Sequence, residues 1–266
     1  MSKKIVWATD IHLDHAKEDK IKDFIRSIND QSPDAVLIGG DIGVGDNISD
    51  CLSFLSKFIN SEIYFVLGNH DYWGSSFKRV KEKVRRLASR RDNLFFLDYM
   101  PAVRLDEDTA LVGQGCWADG RYGDFTNSSH DLHDHHLIED LRNLKRSDLL
   151  SRLNKLGDKE ASRLKSKLEK AFEDYQNVIC LTHIPPFRET CRYNGKPQSK
   201  YFLPFYSCKT AGEVVKEVMQ QRPDSKLTIL SGHTHGKFQT KISDNILALS
   251  GGAKYGHPKI QKIIYI

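Results

Sequence analysis

The stretch LSGHTHGKF, residues 230–238, places His233 and His235 two positions apart, directly after an apolar run. Such a run, rich in Leu and Ile, is typical of a strand that is buried on both faces of a parallel sheet. The two histidines would then follow the carboxyl end of the strand, where ligands bind in parallel α/β sheets. One pair of histidines indicates little unless other strands end in similar residues.

Four other apolar runs also end in residues that are able to bind a metal. With the run before the histidine pair, these predicted buried strands are 5–8, 35–38, 63–67, 178–181 and 227–230. The polar residues that follow them are Asp10, His12, Asp41, Asn69, His70, His183, His233 and His235. Because parallel strands end at one edge of a sheet, we expect these side chains to converge there.

The expected donors are oxygen and imidazole nitrogen without thiolates, which suits Mn²⁺, Fe or Zn²⁺. Seven donors, the set above without His70, are too many for one tetrahedral ion. They suit two ions about 3.5 to 4 Å apart that share a carboxylate. Asp41 is the expected bridge, because an anion between two dications reduces their repulsion. The sequence therefore predicts two divalent metal ions, with Mn²⁺ favoured.

The remaining patterns predict a layered α/β fold. Helical patterns fill the first two intervals, which gives a βαβαβ start, and further strand-like runs occur at 94–97, 110–112, 246–249 and 260–266. These runs would supply a second sheet, with a helix at 210–220 packed outside it. The predicted fold class is an α/β/β/α sandwich with two mixed sheets and the metal site at the C-terminal ends of the strands.

The 266 residues are expected to form a single domain, since α/β folds commonly reach this size and no segment has the composition of a linker. Residues 119–175 are predicted to be an insertion over the core, because they are charged and continue into a helical pattern. This segment contains the His-rich HDLHDHH at 130–136. The spacing of its histidines matches no known metal cage, so a solvated, capping or rim role is favoured for them.

The formal net charge of +5 comes from one segment, since residues 77–91 carry eight Lys or Arg and a single Glu. Such a patch can bind nucleic acid or an anionic lipid surface. The simpler and favoured interpretation is the solvated face of a helix that buries Phe77, Val80, Val84 and Leu87.

The location is expected to be cytoplasmic. The N-terminal sequence enters a strand pattern without an apolar signal core, and no run approaches the roughly 18 apolar residues of a membrane span. Five cysteines without CxxC spacing are expected to be reduced thiols that bind no metal. No pattern specifies an oligomeric state.

Five motifs occur in a familiar order: D-x-H at 10–12, GD at 40–41, GNHD at 68–71, a lone histidine at 183 and GHTH at 232–235. In these motifs the chain resembles the calcineurin-like metallophosphoesterases over residues 10–235. The resemblance implies two ligand sets that share one carboxylate: Asp10, His12, Asp41 and His235 for one ion, and Asp41, Asn69, His183 and His233 for the other. It also implies that His70 stays unligated beside the substrate.

One motif departs from the family pattern. In the phosphoprotein phosphatase branch, the GD motif continues into an acidic residue and an arginine, and that acid orients the catalytic histidine. Here the run is GGDIGVGDN, so Asp46 and Asp71 become the candidate partners of His70. GNHD in place of GNHE also points away from that branch.

The predicted function is a metal-dependent phosphoesterase acting on small phosphomonoesters or phosphodiesters. Two cations would lower the pKa of a bridging water from about 15.7 toward neutrality, giving hydroxide. Asp41 and His70 are the candidate catalytic residues, and His70 is expected to donate a proton or hydrogen bond to the leaving oxygen. The alternatives are a nuclease or end-processing enzyme that uses residues 77–91, and a non-catalytic metal-binding scaffold, which degenerate ligands would mark.

Specificity is expected to lie partly in residues 184–210, because a long loop that follows a metal ligand commonly lines the pocket. Arg188, Arg192 and Lys200 are candidates to hold phosphate oxygens. Tyr193 or Tyr206 is a candidate to stack on a base. A surface loop with scattered charges is the alternative interpretation.

Overall fold

The computed structural model describes residues 2–193 and 195–266, so Asn194 of the predicted specificity loop lies outside the described residues. The strands are β1 Lys4–Ala8, β2 Ala35–Gly39, β3 Glu62–Val66, β4 Leu94–Phe96, β5 Val103–Arg104, β6 Thr109–Gly113, β7 Asn177–Leu181, β8 Arg192–Tyr193, β9 Lys196–Pro197, β10 Lys226–Ser231, β11 Phe238–Ser243, β12 Ile246–Ser250 and β13 Lys262–Tyr265. The α-helices are α1 Glu18–Asn29, α2 Ile48–Phe58, α3 Phe77–Ala88, α4 Asp134–Leu137, α5 Arg146–Asp174, α6 Leu203–Tyr206 and α7 Lys209–Gln220. Short 3-10 helices cover Leu13–His15, His70–Tyr72, Leu97–Tyr99 and Arg188–Thr190.

Two mixed sheets form the centre of the part of the chain that the structure describes. The first has the order β13-β1-β2-β3-β4, in which β13 is antiparallel to β1 and the other pairs are parallel. The second has the order β11-β12-β10-β7-β6-β5, with parallel pairs in the middle and antiparallel pairs at both edges. Strands β8 and β9 form a separate hairpin.

Side-chain alternation along the strands explains how the layers assemble, because successive strand residues point to opposite faces. On β1, Ile5 and Trp7 pack against the second sheet, whereas Val6 and Ala8 pack among residues of α1, α2 and α3. Strand β7 alternates in the same way, with one face toward the first sheet and the other toward α5 and α7. The predicted α/β/β/α sandwich is therefore confirmed.

The strand and helix predictions that define the two sheets are confirmed, including the βαβαβ start formed by β1 to β3 with α1 and α2. The structure adds the edge strands β5 and β11, which the sequence patterns did not indicate. Within the predicted insertion, α5 packs its Ala161, Leu164 and Leu168 with the outer face of the second sheet. This helix thus supplies part of the outer layer of the sandwich.

The basic segment forms α3, which buries Val80 and Val84 as the simpler interpretation predicts. The five cysteines are free thiols; Cys51 is half-buried and the other four are buried. Across the described ranges 2–193 and 195–266, none of the helices combines the length and the apolar character that crossing a bilayer requires.

Candidate metal centre

The five predicted motifs meet at one edge of the sandwich, where β1, β2, β3, β7 and β10 end. Site 1 consists of four side chains whose ligand atoms all lie within 4.8 Å of one another: Asp10, His12, Asp41 and His235. Within it, His12 Nε2 lies 3.2 Å from His235 Nε2, which lies 3.4 Å from Asp10 Oδ1. Carboxylate and imidazole groups from three strand ends therefore face one small volume.

Site 2 lies beside site 1 and contains Asn69, His183 and His233 together with Asp41. His183 Nε2 lies 3.0 Å from Asn69 Oδ1 and 3.4 Å from Asp41 Oδ1. His233 Nδ1 lies 2.9 Å from the same Asn69 oxygen. The other Asp41 oxygen, Oδ2, lies 3.7 Å from His12 Nε2 in site 1. Asp41 thus lies between the two groups, where a shared carboxylate has to be.

Hydrogen bonds on the far side of two imidazole rings determine which nitrogen faces site 2. His183 Nδ1 donates to the carbonyl of Gly39 at 2.8 Å, and His233 Nε2 donates to the carbonyl of Phe205 at 3.0 Å. Because a carbonyl only accepts, the other nitrogen of each neutral ring presents a lone pair to the centre. Burial lowers the pKa of His183 and lowers that of His233 to about 3, so the rings are neutral at pH 7.

This arrangement of acceptors fits divalent cations. Two imidazole lone pairs and the Asn69 carbonyl oxygen face one another beside the buried carboxylates of Asp10 and Asp41. Burial and the neighbouring Asp10 charge raise the pKa of Asp41 well above its ordinary value, because the protein supplies it with too little positive charge. A cation between the acceptors would separate the lone pairs that face one another and would balance the charge of Asp41. Nitrogen ligands together with carboxylate oxygens suit Mn²⁺, Fe or Zn²⁺.

The backbone is strained at the same residues. Of the eight non-glycine residues with positive φ in the described ranges, five belong to the two sites, with φ between 40° and 67°: Asp10, His12, Asp41, His233 and His235. Each such conformation costs on the order of 1–3 kcal/mol and is typical of functional sites. The sharp turns let each loop present its side chain immediately after the strand ends.

Two glycines let the loops approach one another closely. A Cβ atom on Gly68 would overlap the Asp41 carboxylate, and one on Gly232 would overlap the Asp10 carboxylate. Glycine is therefore required at both positions for the carboxylates to reach the centre.

His70 lies at the border of the centre, with Nε2 3.9 Å from Asp41 Oδ2. Its ring stacks on Trp73 with 3.6 Å between centroids. Asp71, a predicted partner, instead accepts backbone N–H groups of the loops after β2 and β3. Asp46 is exposed, and His70 Nδ1 has no hydrogen-bond partner among the described residues. Neither of the two candidate acidic residues therefore pairs with His70, whose ring packs on Trp73 instead.

Asp134 is a site residue that the sequence analysis missed. Asn69 Nδ2 donates to both of its carboxylate oxygens, at 2.9 and 3.1 Å, and Trp73 Nε1 donates to Oδ1 at 2.6 Å. With its nitrogen held in this way, Asn69 turns its oxygen toward site 2. Asp134 thus orients Asn69 directly and His70 through Trp73. The sequence does contain an indication of this role, since Asp134 is an acidic residue inside the His-rich HDLHDHH. The four histidines of this segment drew the interpretation toward a rim instead.

Two of the four histidines of HDLHDHH pair with Asp131. His135 Nδ1 lies 3.0 Å from Asp131 Oδ1, and His136 Nε2 lies 2.6 Å from Asp131 Oδ2. His133 lines the cleft above the two sites, and the ring of His130 packs 4.2 Å from that of Phe202. In the part of the chain that is described, none of the four joins the cluster of candidate ligands.

The cleft above the centre has a volume of about 220 Å³ and is lined by Tyr193 and Tyr206 among others. Arg188 and Arg192 are absent from its described lining. The Arg192 guanidinium instead lies 3.9 Å over the ring of Phe238, and exposed Arg188 pairs with its neighbour Glu189 at 3.8 Å. Tyr193 and Tyr206 are thus the predicted substrate contacts that the structure brings to the cleft.

A family model described as calcineurin-like phosphoesterase matches residues 3–237. No curated protein matches the chain. Among solved structures, the phosphopantetheinyl hydrolase of Mycobacterium tuberculosis is 15% identical, with a TM-score of 0.66 over 97% of this chain and 95% of that one. A dimetal phosphatase from Danio rerio is 14% identical, with a TM-score of 0.62 over 99% of this chain and 92% of that one.

The protein TT1561 of Thermus thermophilus is 13% identical, with a TM-score of 0.57 over 100% of this chain and 99% of that one. At such identities the likeness to these structures establishes a common fold. The family assignment comes from the family model, which covers far more than half of the chain. This chain belongs to the calcineurin-like phosphoesterase family.

Proposed function

We propose that this protein hydrolyses small phosphomonoesters or phosphodiesters with the help of two divalent cations. Mn²⁺ is the favoured metal for both sites, and Fe or Zn²⁺ is the alternative. The observation that carries the proposal is the set of lone pairs and carboxylates that face one another around Asp41. Site 1 would hold one cation and site 2 the other. When bound, two such ions make water a nucleophile at neutral pH and neutralise charge on the phosphoryl oxygens.

The chain's own residues would complete the reaction. Asp10 and Asp41 bring two negative charges against four positive ones, so the loaded site stays electropositive and attracts a phosphate. His70, held against Trp73 and outside both ligand groups, would donate a hydrogen bond or proton to the leaving oxygen. Asp134 would act as a positioning residue for Asn69 and Trp73.

A nuclease activity receives less support, because several cations of α3 are engaged within the protein. Lys81 Nζ lies 3.1 Å from Asp98 Oδ2 and 3.2 Å from Glu160 Oε1, and its side chain is nearly buried. Arg79 pairs with Glu139, and the Arg85 guanidinium lies 5.0 Å over the ring of Tyr99. The helix thus offers fewer free charges to a phosphate backbone than its sequence suggests.

The proposed function is tested by stripping the protein of metal and reloading it separately with Mn²⁺, Zn²⁺ and Fe²⁺. Each form is assayed on 4-nitrophenyl phosphate, bis(4-nitrophenyl) phosphate, a cyclic nucleotide and DNA. We expect turnover of the small esters by at least one loaded form and none by the stripped form. Rapid DNA cleavage, with DNA binding that weakens steeply as salt is raised, would favour the nuclease instead. Inactivity of every loaded form on all substrates would refute the proposal.

Asp134→Asn is expected to weaken metal binding and lower kcat/KM by about 10- to 100-fold, the usual cost of losing a partner that orients a ligand. Asn69 Nδ2 donates to both oxygens of Asp134, so in either orientation the asparagine would turn its N–H₂ group toward this donor and weaken the contact that holds Asn69. Metal affinity by calorimetry and turnover of 4-nitrophenyl phosphate measure the effect. Asp131→Asn, in the same segment but outside the contacts to Asn69, is the matched control. Equal affinity in both variants would contradict the positioning role.

A further inference from the structure

The cleft above the metal centre is walled by aromatic side chains from four separate segments. They are Trp73 after β3, Tyr193 in β8, Tyr206 at the end of α6 and Tyr255 in the loop between β12 and β13. The Tyr206 ring lies 4.9 Å from the ring of His233 in site 2. The Tyr255 ring lies 4.5 Å from the ring of His12 in site 1. Aromatic rings therefore stand beside both candidate cation sites.

The same cleft lacks fixed positive charge. Among residues 2–193 and 195–266, no lysine or arginine lines it, and its acidic side chains are those of Asp41 and Asp134. Sites that hold a nucleic acid strand provide cations along the backbone, since every phosphate carries a charge. Here the positive charge would come from the two metal ions alone. The electrostatics of the cleft thus suit one phosphoryl group rather than a chain of them.

The volume of the cleft and the exposure of its tyrosines restrict the class of substrate further. At about 220 Å³ the cleft is smaller than the roughly 300 to 1,000 Å³ of typical ligand pockets. A phosphoryl group with a short linker fills much of it, so any larger part of the substrate reaches the mouth. There Tyr193 is 60% exposed and Tyr255 is 46% exposed, which leaves ring surface free for contact. Tyrosine offers a broad apolar face that stacks well on another ring.

We propose that the substrate carries a single phosphoryl group esterified to a leaving group with a planar ring, such as a nucleoside, and that Tyr193 and Tyr255 stack on this ring. The proposal rests on the phosphoesterase function proposed above and specifies its substrate class. Stacking on an aromatic side chain is tolerant of ring identity, because every base has a π-face. The preference should therefore extend to any flat ring of suitable reach.

Two pairs of substrates distinguish the effect of the ring on kcat/KM from the effect of the scissile bond. Adenosine 5′-monophosphate and ribose 5-phosphate share the same phosphate linkage and differ in the base. Benzyl phosphate and cyclohexylmethyl phosphate both release a primary alcohol of similar size and differ in the flatness of the ring. For the metal-loaded protein we expect kcat/KM to favour the member with the planar ring about tenfold in each pair. Adenosine 5′-triphosphate and a short oligonucleotide should be poorer than the monophosphate.

Variants locate the ring contact. Tyr193→Ala and Tyr255→Ala should each lower the ratio of kcat/KM for adenosine 5′-monophosphate over ribose 5-phosphate several-fold, and Tyr193→Phe should keep the ratio because it retains the ring. Tyr265→Ala, which removes an exposed tyrosine from β13 outside the cleft lining, is the matched control. Melting temperatures of the variants check that each is folded.

The outcomes distinguish this proposal from the one on which it rests. If both members of each pair are hydrolysed equally well, or the triphosphate or oligonucleotide is preferred, the ring proposal is overturned while the phosphoesterase function stands. If no ester is hydrolysed with any metal, the phosphoesterase function fails. In that case the ring contact is tested by calorimetry, which measures binding of adenosine 5′-monophosphate and ribose 5-phosphate to the metal-loaded protein. Tighter binding of the nucleotide that is lost in Tyr193→Ala supports the ring contact. Equal binding of the two compounds overturns it.

Discussion

Replacing Asp41 with asparagine is expected to lower kcat/KM about 10³-fold or more. Asp41 is the carboxylate that belongs to both candidate cation sites, with Oδ1 near His183 and Oδ2 near His12. Losing a residue that only orients a ligand costs about 10- to 100-fold, so losing a ligand shared by two ions should cost more. The asparagine also turns an N–H₂ group toward one of the sites, where it would repel the cation.

Metal content by mass spectrometry and turnover of 4-nitrophenyl phosphate test this expectation. Asp46→Asn, an exposed carboxylate in the same loop, is the matched control and should keep both. The Asp41→Asn variant should fold. Burial raises the pKa of Asp41, which means that the charge of this carboxylate disfavours the metal-free fold at neutral pH, and the asparagine removes that charge. We expect the metal-free variant to melt no lower than the metal-free parent. Full activity with two ions bound would show that Asp41 is not a shared ligand.

The residues of the centre that could be predicted from the sequence are those that directly follow a recognisable strand pattern. A buried parallel strand appears as an apolar run, and the polar residue that follows it has to lie at the edge where such strands end. Asp10, Asp41, Asn69, His183 and His233 are predicted in this way, and the structure brings them together. Strand direction brings the first three of these residues to one edge of the first sheet and the two histidines to one edge of the second, and the packing of the two sheets brings these edges together.

Other features depend on contacts that no local pattern encodes. Asp134 reaches Asn69 across 65 residues of sequence, from a segment whose histidines suggested a rim. Asp71 follows His70 in the chain, but its carboxylate turns to the backbone N–H groups of two loops. Arg192 precedes Tyr193, yet the alternation of a strand sends their side chains to different places. Only packing decides such choices between neighbours.

His70→Ala is expected to lower kcat by about 10²- to 10⁴-fold, the usual contribution of a positioned proton donor. His70 lies outside both groups of candidate ligands, so the variant should bind as much metal as the parent. The loss should be greater for an alkyl phosphate than for 4-nitrophenyl phosphate, because a poor leaving group depends more on a donor at its oxygen. His136→Ala, an exposed histidine paired with Asp131, is the matched control.

The dependence on the leaving group separates a donor role from a structural one. If His70 only supported the fold of its loop, its removal would slow both esters by the same factor and would lower metal content as well. If it donates to the leaving oxygen, metal content stays constant and the logarithm of kcat falls more steeply with leaving-group pKa in His70→Ala than in the parent. An unchanged slope with full metal content would assign the leaving-group role to another residue. The stack on Trp73 would then serve to hold the loop after β3 rather than a donor.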